Sequence, residues 1–202
     1  MSVQNNKVLI TSIGTGSPLV LAYLQKEIRK NSSFSCAVVV TAHPQKSEAR
    51  HIKSAFQALR AMGFKDVFYF DFDTGNRNLL KDVGCLYVSG GNTFYLLDSI
   101  NKNNYTGFIK EYIQLNGMYI GVSAGACILG NDIQHLSDSG IDENLIGLKE
   151  TQGLSIVDKK IVPHSPSNHM NSDYLNIANE GGYTFSWKDG SLVELTLKEV
   201  EK

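Results

Sequence analysis

The run Gly121-Val122-Ser123-Ala124-Gly125 sets a serine between glycines two residues away on each side. Apolar residues Met118-Tyr119-Ile120 precede it, and Ala126-Cys127-Ile128-Leu129 follow. The pattern reads as strand, tight turn and helix, with the hydroxyl at the turn. Such a turn strains the serine backbone and lifts the hydroxyl clear of the sheet. Glycine is needed on either side because a Cβ would collide with the neighbouring strand or helix. A serine held this way can attack a carbonyl carbon, and the same turn aims the Ala124 N–H at the oxygen that becomes negative.

A serine hydroxyl is a poor nucleophile at neutral pH and needs a base. Of the five histidines, His164 ends the run Ile161-Val162-Pro163, a strand terminus with a loop beyond, which is where a base must stand. His43, in Ala42-His43-Pro44, also follows a strand end and is the rival. His51 falls in a helix, His135 in a polar loop, and His169 lies five residues beyond His164. A carboxylate should fix the imidazole tautomer. Asp132, Asp138, Asp142, Glu143 and Asp158 are the candidates, and the sequence does not choose among them. Gly90-Gly91-Asn92-Thr93 ends another strand, and its paired glycines expose backbone N–H groups. The Gly91 and Ala124 N–H groups would form a two-donor oxyanion hole; the alternative is a plain strand-to-helix turn capped by Asn92 or Thr93. Gly14-Thr15-Gly16 suggests a dinucleotide loop, but Leu19 stands where the third glycine belongs. Thr41-Ala42-His43 also replaces the acid that should end the next strand.

The elements that must position these groups alternate. Strands are predicted at residues 7–12, 35–41, 67–72, 84–89 and 119–122. Helices are predicted from Ser17-Pro18 through Ile28, at 47–62, 94–100 and 106–115. Serine suits the cap of the first helix and proline its opening turn. This alternation predicts an α/β fold, a mostly parallel sheet flanked by helices on both faces, with sites at the carboxyl ends of strands. Residues 154–157 and 160–163 read as short strands. Tyr183–Trp187, Lys188-Asp189-Gly190 and 191–197 read as a C-terminal β-hairpin with an Asp-Gly turn. The polar stretch from Gly130 to Gly147 is long enough to act as a lid.

The 202 residues predict a single domain over 1–202, with 42% apolar residues in the range of globular proteins. The balance of 19 Lys+Arg against 20 Asp+Glu gives no field to draw nucleic acid or an anionic membrane. No apolar run is long enough to span a bilayer. The polar start, Met1 to Lys7, does not read as a signal peptide. Three cysteines, Cys36, Cys85 and Cys127, each in or beside an apolar run, predict reduced core thiols and a cytoplasmic setting. The absence of a Cys-x-x-Cys pair argues against structural zinc.

Three segments together resemble the dipeptidase E and cyanophycinase family of serine peptidases. They are Val88-Ser89-Gly90-Gly91-Asn92-Thr93 with Leu96-Leu97, then residues 119–126 around Ser123, then Gly153-Leu154 leading to Ile161-Val162-Pro163-His164. The resemblance implies a fold similar to class I glutamine amidotransferases, with serine in place of their cysteine. It implies hydrolysis of small peptides, dipeptides above all, through an acyl-enzyme with no metal or other cofactor. Ser123 matches the family nucleophile, His164 its histidine, and Gly91 and Ala124 its oxyanion positions, with Gly90 and Asn92 beside them. The aspartate that follows the serine by about fifteen residues in the dipeptidase branch falls on Asp138. Dipeptidase E prefers N-terminal aspartate and carries arginine after the histidine. Residues 165–173 here contain neither arginine nor lysine, which puts that preference in question. An esterase or amidase with the same machinery, or a non-catalytic binding protein on the same fold, are the alternatives. The larger α/β-hydrolases fit less well, because the histidine follows the serine by only 41 residues. Monomer and homodimer both remain open.

Overall fold

The computed structural model describes residues 7–30, 34–115, 117–164, 184–186, 189 and 192–195. Strands β1 (Val8–Thr11), β2 (Ser35–Val39), β3 (Asp66–Phe70), β4 (Cys85–Val88) and β5 (Met118–Val122) form a parallel sheet. A further strand pairs antiparallel with β1, and the order is β3-β2-β4-β5-β1 with that strand at the edge. These segments are short, β-branched and apolar, as strands covered on both faces must be.

Alternation along each strand sends side chains to opposite faces. Leu9, Val38, Tyr87 and Ile120 pack with Val20 and Leu24 of α1 (Pro18–Lys30) and Ile52 and Leu59 of α2 (Arg50–Ala61). Ile10, Val39, Val88 and Tyr119 face Leu96 and Leu97 of α3 (Thr93–Lys102) and Ile109 of α4 (Tyr105–Gln114). The helices therefore cover both faces, and the carboxyl ends of the adjacent strands β4, β5 and β1 emerge side by side.

Two expectations are corrected. Residues 154–157 form no strand: the Leu154 N–H donates to the Ile128 carbonyl and the Ile156 N–H to that of Leu129, so this stretch wraps over the end of α5 (Ala124–Cys127). Among the described residues the C-terminal segments do not pair with each other as a hairpin. Strand β6 (Lys160–Val162) pairs in parallel with β7 (Thr184–Ser186), whereas β8 (Leu192–Leu195) is the antiparallel edge strand beside β1. Of the expected hairpin, Tyr183, Trp187, Lys188, Gly190, Ser191, Thr196 and Leu197 lie outside the described residues, as does His169. The stretch 130–147 carries the short helix α6 (Gln134–Asp138) and is tied down at Asp142 rather than left open. No described helix is long and apolar enough to cross a membrane.

Candidate active site

Ser123 follows β5 at the start of α5 with φ 48° and ψ −107°, a conformation an L-residue rarely adopts. Two close approaches hold it there. A Cβ on Gly121 would lie 2.4 Å from the Gly125 carbonyl oxygen, and one on Gly125 would lie 2.3 Å from that of Val88. The turn can therefore close only with glycine at both places, and β4, β5 and α5 lock around the serine. The Ser123 N–H is bound to the Thr11 carbonyl, and its own carbonyl accepts from Ala126 and Cys127 N–H groups, which fixes the bend.

His164 Nε2 stands 3.1 Å from Ser123 Oγ, and His164 Nδ1 stands 2.7 Å from Asp189 Oδ1. The carboxylate can only accept, so Nδ1 carries the proton, and the Ser123 hydroxyl donates to the Nε2 lone pair. The His164 backbone has φ 60°, and its N–H donates to Ser12 Oγ just past β1. Strand pairing explains the meeting. In the parallel β6–β7 register Val162 lies beside Ser186, so His164 and Asp189 leave the same end two and three residues later. The antiparallel partner register sets Leu192 beside Thr11, which returns the chain after Asp189 to the carboxyl end of β1.

Asp138 does not approach the histidine. It lies on α6, and its carboxylate accepts from Gln134 Nε2. Three of the other candidates have carboxylates engaged elsewhere, and only the backbone of Glu143 is seen in a contact. Asp132 accepts from Thr151 Oγ1 and the Gln134 N–H, and Asp158 accepts from Asn131. Asp142 accepts from Asn92 Nδ2 and the Thr93 N–H, and Glu143 offers its backbone carbonyl to Asn92. Asp189 was missed because Asp-Gly reads as a turn signal. The useful clue was an acid just past a strand that can run parallel to the one ending in the histidine.

Gly90 and Gly91 follow β4 directly against the serine. A Cβ on Gly90 would lie 3.1 Å from Ser123 Cβ, and one on Gly91, at φ 152°, would lie 2.2 Å from the Ala42 carbonyl oxygen. Asn92 is committed to structure. Its N–H donates to Ala42, its side-chain oxygen caps α3 through the Tyr95 N–H, and its amide holds Asp142 and Glu143. A cavity of about 340 Å³ opens beside Ser123 and His164, with Gly90, Gly91, Ser12 and His51 among its walls.

The other histidines take different places. The His43 and His51 rings meet edge to face at 5.1 Å, and His43 is pulled below the ordinary histidine range by burial and by His51. His135 is buried, with Nε2 on the Ile161 carbonyl. Cys127 is buried, and burial pushes its thiol well up, so it behaves as helix packing. Among the described residues no three His, Cys, Asp or Glu side chains converge in a metal-binding arrangement.

The family model described as Peptidase family S51 matches residues 8–183. An uncharacterized peptidase of Pasteurella multocida is 38% identical over 79 residues, 39% of this chain and 38% of that protein. An uncharacterized peptidase of Listeria monocytogenes is 26% identical over 132 residues, 62% of this chain and 63% of that one. Peptidase E of a Shewanella species is 34% identical over 88 residues, 44% and 36% of the two chains. The matched stretches thus span less than two thirds of these relatives' lengths. The crystal structure of a putative peptidase E protein from Listeria monocytogenes superposes with a TM-score of 0.80 at 22% identity, covering 96% of each chain. It shows the same fold.

Proposed function

Because the chain belongs to peptidase family S51, we propose that it is a serine-type peptidase that cleaves small peptides, dipeptides foremost, through an acyl-enzyme on Ser123. The observation that carries this reading is the line of three groups, Ser123 Oγ to His164 Nε2 at 3.1 Å and His164 Nδ1 to Asp189 at 2.7 Å. In this reading Asp189 takes the role that the family resemblance gave to Asp138.

His164 takes the Ser123 proton as Oγ attacks the scissile carbonyl. Asp189 keeps the ring in the tautomer that can accept and stabilises the imidazolium that results. The Gly91 and Ala124 N–H groups receive the oxyanion, a form of stabilisation in which one donor is typically worth about 3 kcal/mol of barrier. His164 then returns the proton to the leaving amine. Water enters, gives its proton to His164 and attacks the acyl carbon, and Ser123 Oγ leaves with a proton restored. The strained serine backbone has a use here: it holds Oγ between base and donors without side-chain freedom to lose.

Two measurements test the reading. A fluorophosphonate probe should label the wild-type protein at Ser123 and fail on Ser123→Ala. The same variant should lose turnover of every dipeptide while keeping its thermal midpoint. A well-folded Ser123→Ala protein with undiminished turnover would overturn it.

A further inference from the structure

Gly91 is exposed at the cavity, and the chain that leaves β2 holds it from behind. The Ala42 carbonyl accepts from the Asn92 N–H at 2.7 Å. The same oxygen is the one that a Cβ on Gly91 would meet at 2.2 Å. The place of Ala42 therefore governs where the Gly91 N–H points. Residues 40–46 run through turns rather than a strand, so something else must fix them. Lys46 closes the loop. Its ammonium reaches back to the Thr41 carbonyl at 3.2 Å, the group just before Ala42. It also meets Asp71 at 3.2 Å and Asp73 at 3.0 Å, both past β3. Asp73 accepts from the Tyr95 hydroxyl at 2.8 Å, and the Tyr95 N–H is the one that Asn92 caps. A closed ring of contacts thus runs from Asn92 through Ala42, Thr41, Lys46, Asp73 and Tyr95 back to Asn92.

Lys46 carries a strain that the ring must offset. Its backbone is left-handed, at φ 48°, which costs a residue with a Cβ about 1–2 kcal/mol. Burial pulls its ammonium down, but Asp73 and Asp71 outweigh burial and hold it above the ordinary lysine range, so it stays charged. The three N–H bonds of an ammonium here meet three acceptor groups, which leaves none for a ligand. Two carboxylates around one cation make the cluster net negative, so its field does not favour an oxyanion, and its use must be geometric. Without the cation, Asp71 and Asp73 would face each other uncompensated and push the loop open.

Resting on the peptidase reading above, we propose that Lys46 is a positioning residue for the oxyanion hole: its ammonium fixes the turn at Thr41 and Ala42, and the Ala42 carbonyl in turn aims the Gly91 N–H at the developing negative charge. Lys46 touches no reacting atom and acts through Ala42 and Gly91. Its loss is therefore felt in the transition state, where the oxyanion forms, and hardly in the binding of the intact peptide.

The test uses the dipeptide that the wild-type protein turns over fastest. Lys46→Met should lower kcat by about 10- to 100-fold, the size of effect that follows when one oxyanion donor is misplaced. Calorimetric titration of that dipeptide into Ser123→Ala protein, with and without Lys46→Met, should give Kd values within about twofold of each other. An aminoboronic acid bearing the side chain of its first residue forms a tetrahedral adduct on Ser123, and its affinity should fall by the same factor as kcat. Lys46→Cys treated with bromoethylamine regains a primary ammonium of nearly the same reach, and the three native cysteines are buried. The modified protein should recover kcat to within about fivefold of wild type, whereas the untreated variant should match Lys46→Met. Lys102→Met, which breaks the pair with Asp98 near the far end of α3, should leave kcat unchanged. Should Lys46→Met fail to fold, Tyr95→Phe removes one link of the ring and should lower kcat about threefold. Unchanged kcat in the folded variant, or kcat and dipeptide affinity falling together, overturns the proposal and leaves the peptidase reading standing. Wild-type protein that neither takes up the fluorophosphonate nor cleaves any dipeptide overturns the peptidase reading and this proposal with it.

Discussion

Ser123 and the glycines around it belong to the central sheet, whereas His164 and Asp189 ride on the short β6–β7 pair and the edge of β8. The first group is gripped by backbone on every side, so that a single added methyl would strike a carbonyl at 2.3 or 2.4 Å. The second is exposed and is held by pairing between segments distant in sequence, with a link of 25 residues between histidine and carboxylate. One half of the site is a local motif made rigid by packing; the other is a long-range assembly whose geometry depends on register.

The sharpest way to break that comparison is at Asp189. Asp189→Asn should lower kcat by about 10²- to 10⁴-fold, because an amide can present N–H to the imidazole and favour the wrong tautomer. Stability should change by less than about 1 kcal/mol, since the hydrogen-bonded pair is exposed to solvent. Asp138→Asn should leave kcat within twofold, its carboxylate being engaged with Gln134. Steady-state kinetics on the two variants side by side decides the matter; equal effects would mean that the carboxylate arm is arranged otherwise.

At the rigid half the expected loss is in folding rather than turnover. Gly125→Ala drives a Cβ to 2.3 Å from the Val88 carbonyl oxygen, which cannot swing aside as a side chain would. The cost should be about 3 kcal/mol, read as a fall in the urea midpoint. A variant with wild-type stability would show that β4 and α5 can part, and that the grip on Ser123 is looser than the contacts indicate.

The same contrast explains what the sequence made legible. The serine turn, the strand before it and the paired glycines at residues 90 and 91 are spelled by adjacent residues, and propensity and sterics act locally, so the order of strands and helices through β5 could be read directly. Asp189 could not. Asp-Gly is a strong turn signal, and a hairpin is the cheapest local reading of two short flanking strands. Which partner each strand takes is a matter of long-range pairing with β1 and β6, information spread over more than 150 residues. Asp138 failed for a related reason, since spacing along a variable loop says little about direction once that loop contains a helix of its own. Asn92 fell between the two cases: its sequence position marks both a cap and a site rim, and its bonds show the cap.

A smaller effect should follow at that cap. Asn92→Ala removes the acceptor for the Tyr95 N–H and the donor that holds Asp142 and Glu143. A lost N-cap is worth about 1 kcal/mol, and the two tethers bring the expected change to about 1–2 kcal/mol. Because the Asn92 side chain donates nothing to Ser123, kcat/KM should fall much less than it does in Asp189→Asn. A loss of comparable size would move Asn92 into the oxyanion hole and blur the distinction between the two halves.

The subtlest probe is pH, acting on the residue that fastens β6. His135 Nε2 donates to the Ile161 carbonyl at 3.1 Å, three residues before His164, and its Nδ1 is buried without a partner. Burial, with Lys160 adding to it, pulls His135 below the ordinary histidine range, against the opposing pull of the Ile161 carbonyl, Asp132 and Asp138. The folded protein therefore keeps the ring neutral, while the unfolded chain takes up a proton near about pH 6.5. The unfolded state binds more protons on acidification. The contribution is thus whole above that pH and is lost as pH falls toward the depressed folded value. Urea midpoints should drop between pH 7.5 and 5.5, and His135→Gln, which can still donate to Ile161, should flatten part of that slope. His43, also pulled low, accounts for some of the remainder. If the slope in His135→Gln equals that of wild type, the ring is not holding β6 in its neutral form, and the anchorage of the exposed arm must be sought in the contact of the His164 N–H with Ser12 instead.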